Sequence, residues 1–246
     1  MDKSIYVAMT GAAQNMLATA VHANNLANVS TTGFRADFAQ AKAMPVFGGN
    51  FPSRVYALTE TPNTDLSPGT LQESGRELDV AINGEGWIAV QTPDGSEAYT
   101  RAGDLQIDPS GLLLTGSGLP VMGNGAPISL PPSQSVNIGV DGTISVRPLG
   151  ASAQEVAEVD RIKLVKPERG QLFKGEDGLM YSRDGAPLQA DADVRLESGF
   201  LESSNVNAIS ALTDLISLSR QFEMQVKLMK TAERNAQASA RLLQFS

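Results

Sequence analysis

Residues 212–243 read LTDLISLSRQFEMQVKLMKTAERNAQASARLL. Within this stretch Leu212, Leu215, Ser219, Phe222, Val226, Met229, Glu233, Ala236, Ala240 and Leu243 follow steps of three and four without a skip, and eight of the ten are apolar. That spacing is the seam of an amphipathic helix that meets another helix. Asn205 or Asn207 can cap its start, and no proline follows Pro187, so a long helix is predicted to near Gln244. Glu223 with Lys227 and Lys230 with Arg234 put charge on the outer face. Met and Phe at helical spacing here read as packing, not as a cofactor site.

The opposite end of the chain repeats the pattern. Ile5, Met9, Ala12, Met16, Thr19, Ala23 and Leu26 are spaced by four and three, and the helix is predicted to stop near Asn28, where Ser30, Thr31, Thr32 and Gly33 form a turn-rich cluster. From Ser4 to Phe34 there is no Asp, Glu, Lys or Arg. A solvated helix normally displays charge on its outer face, so this one is prepared for contact on several sides. Its seam is thin, because buried Ala and Thr contribute far less than the roughly 1.5–3 kcal/mol of a Leu, Met or Phe. The two ends are expected to pair, antiparallel or parallel, and to order fully only when neighbouring subunits supply the missing apolar surface.

Between the ends the composition changes. All 13 prolines fall between Pro45 and Pro187, as do 20 of the 23 glycines, with only Gly11, Gly33 and Gly199 outside. Short β-branched runs punctuated by turns predict strands: residues 78–82 before Asn83-Gly84-Glu85-Gly86, then 87–91 into Pro93-Asp94-Gly95. Residues 136–140 and 143–146, joined at Asp141-Gly142, have the alternation of a hairpin with a two-residue turn. Further reversals are marked by Asp108 to Gly111, Asp177-Gly178 and Asp184-Gly185. Tyr99-Thr-Arg-Ala-Gly103 is echoed by Tyr181-Ser-Arg-Asp-Gly185, which suggests two related hairpins.

The 246 residues carry 19 basic and 27 acidic side chains, a net charge of −8, with no cysteine and one histidine, His22. Thiolate chemistry, disulfides and Cys-based zinc sites are excluded, as is any Ser-His-Asp triad not built on His22. The acidic balance argues against nucleic acid and against an anionic lipid surface. No run approaches the ~18 apolar residues of a membrane helix, and polar residues interrupt any secretory leader. Gly84-Glu-Gly86-Trp-Ile-Ala89 fits the letters of a dinucleotide fingerprint but opens into a strand pattern, so it reads as a tight turn. Asp104, Asp108, Asp191 and Asp193 lack the spacing of a calcium loop and read as solvated turn residues. Asn28-Val29-Ser30 matches a glycosylation sequon by pattern alone, and His22 is placed at a helix flank or interface. Paired carboxylates for glycoside hydrolysis stay open, since their separation is three-dimensional. No catalytic residue, cofactor or metal ligand is assigned.

Asn24-Asn-Leu-Ala-Asn-Val-Ser-Thr-Thr-Gly-Phe34, following a heptad helix, resembles the signature of bacterial flagellar rod and hook proteins. The resemblance continues through Leu78-Asp-Val-Ala-Ile-Asn-Gly-Glu-Gly-Trp87, Tyr99 to Gly103, and Gly199-Phe-Leu-Glu-Ser-Ser-Asn-Val206, spanning nearly the whole chain. The opening Met1-Asp-Lys-Ser-Ile-Tyr6 and the modest length are most similar to proximal-rod members, with distal-rod members as the close alternative. Trp87 and Ile88 stand where paired phenylalanines are common in the family.

The expected fold is α+β: N- and C-terminal helices paired as a coiled coil, residues 1–33 and 203–246, with an all-β domain, residues 75–189, inserted between them. Residues 34–74 and 190–202 are expected as extended connectors. The resemblance implies a non-enzymatic axial subunit, exported without a cleaved signal by the flagellar type III apparatus and polymerised across the periplasm with copies of itself and with other rod subunits. The expected assembly interface comprises Ile5, Met9, Met16 and Leu26 on the first helix, and Asn24, Asn25, Asn28, Gly33 and Phe34 where the chain turns outward. Leu212, Leu215, Phe222, Val226, Met229 and Leu243 complete it on the last helix. An exported cell-wall hydrolase or a coiled-coil adhesin are the readings from other classes.

Overall fold

A computed structural model describes residues 4–45, 55–60, 63–148, 156–168 and 170–244, with the side chains of residues 4, 41, 59, 60 and 242–244 outside the description. The chain divides into two compact units. One is built from Met1–Asn28, Asp37–Asp65 and Val206–Ser246, the other from Val29–Ala36 and Leu66–Asn205.

The first unit holds helix α1 (Ser4–Ala27), helix α2 (Ala208–Gln244) and, within the stretch expected as a connector, an antiparallel ladder of Gln40–Pro45 with Val55–Glu60. Of the two capping candidates for α2, Asn207 serves: its Oδ1 accepts the N–H groups of Ile209 (3.0 Å) and Ser210 (3.1 Å). At the end of α1, Asn28 folds back, its backbone N–H and its side-chain amide both reaching the carbonyl of Asn24. Gly11 lies against the Gln225 amide, where a Cβ would stand 3.0 Å from Nε2, and His22 Nδ1 is 3.7 Å from Asp214 Oδ2. Contacts that climb α1 while descending α2 make the pair antiparallel.

Of the 16 expected seam positions whose side chains are described, eight are exposed. Ala8, Gly11, Ala12, Ala18 and Asn25 are the buried positions of α1. On α2, Ala211 is buried and Leu215, Leu218, Phe222, Gln225, Val226 and Met229 are half-buried. Leu215, Phe222, Val226 and Met229 thus stand as expected, whereas Met9, Met16, Ala23, Leu212, Ser219, Glu233, Ala236 and Ala240 face solvent. Small side chains let two helix backbones approach closely, and on α1 it is Ala8, Gly11 and Ala12 that face inward while Met9 and Met16 are turned out.

The second unit is a set of antiparallel sheets around an apolar core. The largest sheet runs Leu164–Val165, Trp87–Gln91, Glu97–Thr100, Met180–Ser182, Leu172–Lys174. Beside it stand a three-stranded sheet of Ala157–Arg161, Thr143–Pro148 and Ser133–Ile138, and short pairs that include Val80–Asn83 with Arg195–Ser198 and Leu71–Glu73 with Phe200–Glu202. Strand Trp87–Gln91 is covered on both faces: Ile88 and Val90 enter one apolar cluster, Trp87 and Ala89 another. The echoed Tyr-x-Arg-x-Gly segments follow neighbouring hairpins of this sheet, which meet where Met180 pairs with Tyr99. Burial pushes the Tyr99 phenol up, and its oxygen accepts the Leu188 N–H at 2.8 Å.

The hairpin at Asp141-Gly142 closes differently from the two-residue turn expected. Gly139 N–H donates to Thr143 O (2.8 Å) and Gly142 N–H to Gly139 O (2.9 Å), leaving a three-residue loop with Gly142 at φ 87°. A type I turn followed by a left-handed residue is the standard three-residue solution, and glycine supplies the positive φ. Asp141 then takes the Thr143 N–H and hydroxyl, bonds that hold its carboxyl below the usual range.

Candidate assembly site

Within the second unit, three segments far apart in sequence converge on Glu202, at the end of strand Phe200–Glu202. Its side chain is 0% exposed. Oε1 accepts Arg35 Nη2 at 2.5 Å and the Gly69 N–H at 2.8 Å; Oε2 accepts Arg101 Nη1 at 2.9 Å. The Glu202 carbonyl takes the Gly33 N–H at 2.8 Å, and Arg101 Nη2 donates to Gly84 O at 2.7 Å. The indole of Trp87 lies 5.7 Å from the Arg35 guanidinium carbon and 5.5 Å from that of Arg101, so one aromatic face system serves both cations. Burial pulls Arg101 below its ordinary range, and Glu202 opposes that shift.

This arrangement explains residues in the outward turn. Gly33 has φ 67°, and a Cβ there would stand 2.3 Å from the backbone carbon of Arg101, so no other residue fits. Phe34 is half-buried beneath Lys174, whose Nζ sits 4.0 Å from the ring centroid and donates to Arg35 O at 2.8 Å. The Ala36 N–H donates to Asn205 Oδ1 at 2.8 Å. In the first unit, buried Asn25 does what an amide does best: its Nδ2 donates to Asp37 O (2.8 Å) and its Oδ1 accepts Asp37 N–H (3.0 Å).

The remaining expected interface residues lie on the helices. Ile5 and Leu26 are half-buried, as is Asn28, while Met9, Met16, Asn24 and Leu212 are exposed; Leu243 lies outside the described side chains. The periodicity argument passed over Tyr6, Leu17, Ile209, Ile216, Met224 and Leu228, all exposed. Ile209, at 77% exposure, is more open than any other large apolar side chain described. The signal for them was available: large apolar residues off the seam of a helix have no place in that helix's own pairing.

Comparison with known proteins accounts for the recurrence of these segments. A profile described as "Flagella basal body rod protein" matches residues 5–35, "Flagellar hook protein FlgE/F/G D1 domain" matches 81–146, and "Flagellar basal body rod FlgEFG protein C-terminal" matches 197–242. The chain is 44% identical to the flagellar basal-body rod protein FlgF of Escherichia coli and 42% identical to that of Salmonella typhimurium, each alignment covering all of both chains. The rod protein FlgG of Buchnera aphidicola is 31% identical over 98% of this chain and 100% of its own length. The chain belongs to the FlgF family of flagellar basal-body rod proteins.

Residues of all three matched regions meet around Glu202, namely Gly33 and Arg35 from the first, Gly84, Trp87 and Arg101 from the second and Glu202 from the third, and Gly69 joins them from outside the matched ranges. The chemical motifs set aside on sequence grounds take structural places in this FlgF-family chain. Gly84 and Gly86, at φ 91° and 150°, form the turn before strand Trp87–Gln91. Asp108 and Asp191 accept the N–H groups of Ser110 and Asp193. Asp104 differs from the solvated turn residue expected: it is half-buried, opposite Asp79. His22 lies in the helix pair beside Asp214.

Proposed function

We propose that this chain is a structural axial subunit of the bacterial flagellar basal body, polymerising in the proximal rod as part of the drive shaft that carries torque. The FlgF relatives at 44% and 42% identity favour the proximal rod over the distal-rod alternative, for which the FlgG relatives stand at 31%. The observation that supports polymer formation is the outward display of large apolar side chains on both terminal helices, one of them free of charge throughout. Exposed apolar surface of this kind marks a protein contact, and a head-to-tail contact that does not close builds a helical filament. The helices supply the packing surfaces of the polymer as coiled coils; torque transmission then asks for stiffness and no catalysis. Copies of the chain, the other rod subunits and the type III export apparatus are its partners, and it crosses the periplasm within the rod.

The test is fractionation of basal bodies from cells carrying the tagged chain. It should copurify with them and be required for swimming. Motors that assemble and turn without it would overturn the reading. In the dilute free chain, amide exchange through α1 should be fast relative to the β unit; slow exchange there would show helices already complete without neighbours.

A further inference from the structure

The chain has no cysteine, so its eight methionines carry all of its sulfur. Where thiols are absent, the thioether is the group a mild oxidant reaches first. Three methionines stand in water on the helical unit: Met9 and Met16 on α1 and Met224 on α2, each more than half exposed. Met9 and Met16 are seven residues apart and share a line with Tyr6, Ala13 and Ala20, all exposed and none charged. Met224 has exposed Leu228 one turn on. Met44, on the strand Gln40–Pro45, is the fourth exposed methionine. The β unit treats the same side chain differently. Met180 is 3% exposed, enclosed with Tyr99 and Leu172. One chain therefore holds open and closed thioethers, and three of the open ones lie on the helices.

On the rod-subunit reading above, we infer that Met9, Met16 and Met224 are modification sites: hypochlorous acid converts them to sulfoxides in the free subunit, and the modified subunit is barred from the polymer. The sulfur lone pair attacks the chlorine and hydroxide leaves. Water then adds to the sulfur, two protons are released and chloride departs. Sulfur gives up two electrons and chlorine takes them, so no other oxidant or reductant is required. Oxidation turns a flexible apolar side chain into a polar one whose oxygen accepts hydrogen bonds. In the free subunit that oxygen keeps its water, so the fold is undisturbed. Covered by a neighbour it loses that water, and a covered polar group without a partner weakens the contact. The effect depends on timing: a subunit already covered is out of the oxidant's reach, whereas one awaiting assembly is not. Sulfoxide reductases return the thioether, which makes the block reversible.

Peptide mass spectrometry of the purified chain, sampled as hypochlorous acid is added, reads the sites. Met9, Met16 and Met224 should each gain one oxygen atom before Met180 does. Cells that depend on a tagged copy of the chain read the consequence. With hypochlorous acid present while the chain is induced, several-fold less of the parent should reach purified basal bodies. Met9→Leu, Met16→Leu and Met224→Leu combined should restore it, since leucine nearly keeps the volume and removes the sulfur. Met9→Gln, Met16→Gln and Met224→Gln combined imitate the polar product. That variant should keep the circular dichroism of the parent and stay out of basal bodies with no oxidant added, a readout that stands even where the Leu substitutions themselves hinder assembly. Met180 oxidised as fast as the helix methionines, Leu substitutions that give no protection, or Gln substitutions that assemble normally would each overturn the inference and leave the rod subunit in place. A tagged parent missing from basal bodies without oxidant would instead remove the rod reading and the assembly block with it.

Discussion

The β unit is finished and the helical unit is not. In the β unit the large apolar side chains are inside: Ile88, Leu105, Leu113, Ile128 and Ile144 are each 0% exposed. Its buried Glu202 carboxylate is held by two guanidiniums. The helical unit inverts this. Ala8, Gly11, Ala12 and Ala18 are inside with polar Asn25 and Gln225 at the seam, while Met16 at 61% and Ile209 at 77% exposure are outside. Burying a Met or Leu is worth about 1.5–3 kcal/mol, so each such residue left in water is stabilisation withheld until another surface covers it. A unit built this way reserves its apolar surface for neighbours, whereas the β unit has a filled core and leaves side chains such as Val140 and Phe173 exposed outside it.

The sharpest way to break this contrast is a charge on the outer face of a helix. Ile216→Asp should abolish rod assembly and swimming, yet leave the unfolding midpoint of the β unit unchanged, since exposed substitutions usually shift stability by no more than about 0.5 kcal/mol. Normal swimming would mean that this face is idle. Next in size, Glu202→Ala leaves Arg35 and Arg101 buried without their counter-ion and should cost about 3–5 kcal/mol in the β unit. The only tryptophan, Trp87, lies against both arginines, so its fluorescence during urea unfolding reads this cluster directly. A midpoint within experimental error of the parent would show that the ions are not holding the segments together. Smaller again, Asn207→Ala removes the cap of α2 and should reduce helix stability by about 1 kcal/mol, seen by circular dichroism and absent from the Trp87 signal.

The helices were legible in sequence because their period and their caps are local. Which face pairs within the chain was only half legible. Leu215, Phe222, Val226 and Met229 stand at the seam as expected, but hydrophobic periodicity cannot tell a face that meets the same chain from one that meets another, and it favours Met9 and Met16 over Ala8 and Gly11. The relevant cue was size, not polarity. The strand Trp87–Gln91 and the reversals marked by Asp-Gly were readable from local chemistry, although the loop before Thr143 has one more residue than the two-residue turn expected. The Glu202 cluster was not readable, even though Arg101 and Glu202 sit inside quoted motifs, because their meeting depends on which strands are neighbours. The echo of Tyr99–Gly103 in Tyr181–Gly185 shows the limit of letters: Arg101 is buried in the ion cluster and Arg183 is exposed.

The least of the expected effects asks whether the finished unit is finished everywhere. Asp104 is half-buried and faces Asp79 across an isolated antiparallel bridge. Asp79 is 1% exposed, and its Oδ1 has Arg76 Nη1 as an ion-pair neighbour at 3.6 Å. Burial first, and the Asp79 charge after it, lift the Asp104 carboxyl above its ordinary value of 3.8. A carboxyl raised on folding binds its proton more tightly in the native state than in the unfolded chain. Its contribution is therefore fully present below the ordinary value and is lost as pH rises through the raised native value. Near neutral pH the native unit carries a charge it would hold more easily unfolded, in part screened by water because the group is only half-covered. Asp104→Asn removes that charge. The variant should unfold at slightly higher urea than the parent at about pH 7, with the gap closing as pH falls below the ordinary carboxylate range. An equal midpoint at neutral pH would show that the site already accommodates the ion. A gap that widens on acidification would reverse the sign and place a stabilising ion pair where the structure puts two carboxylates.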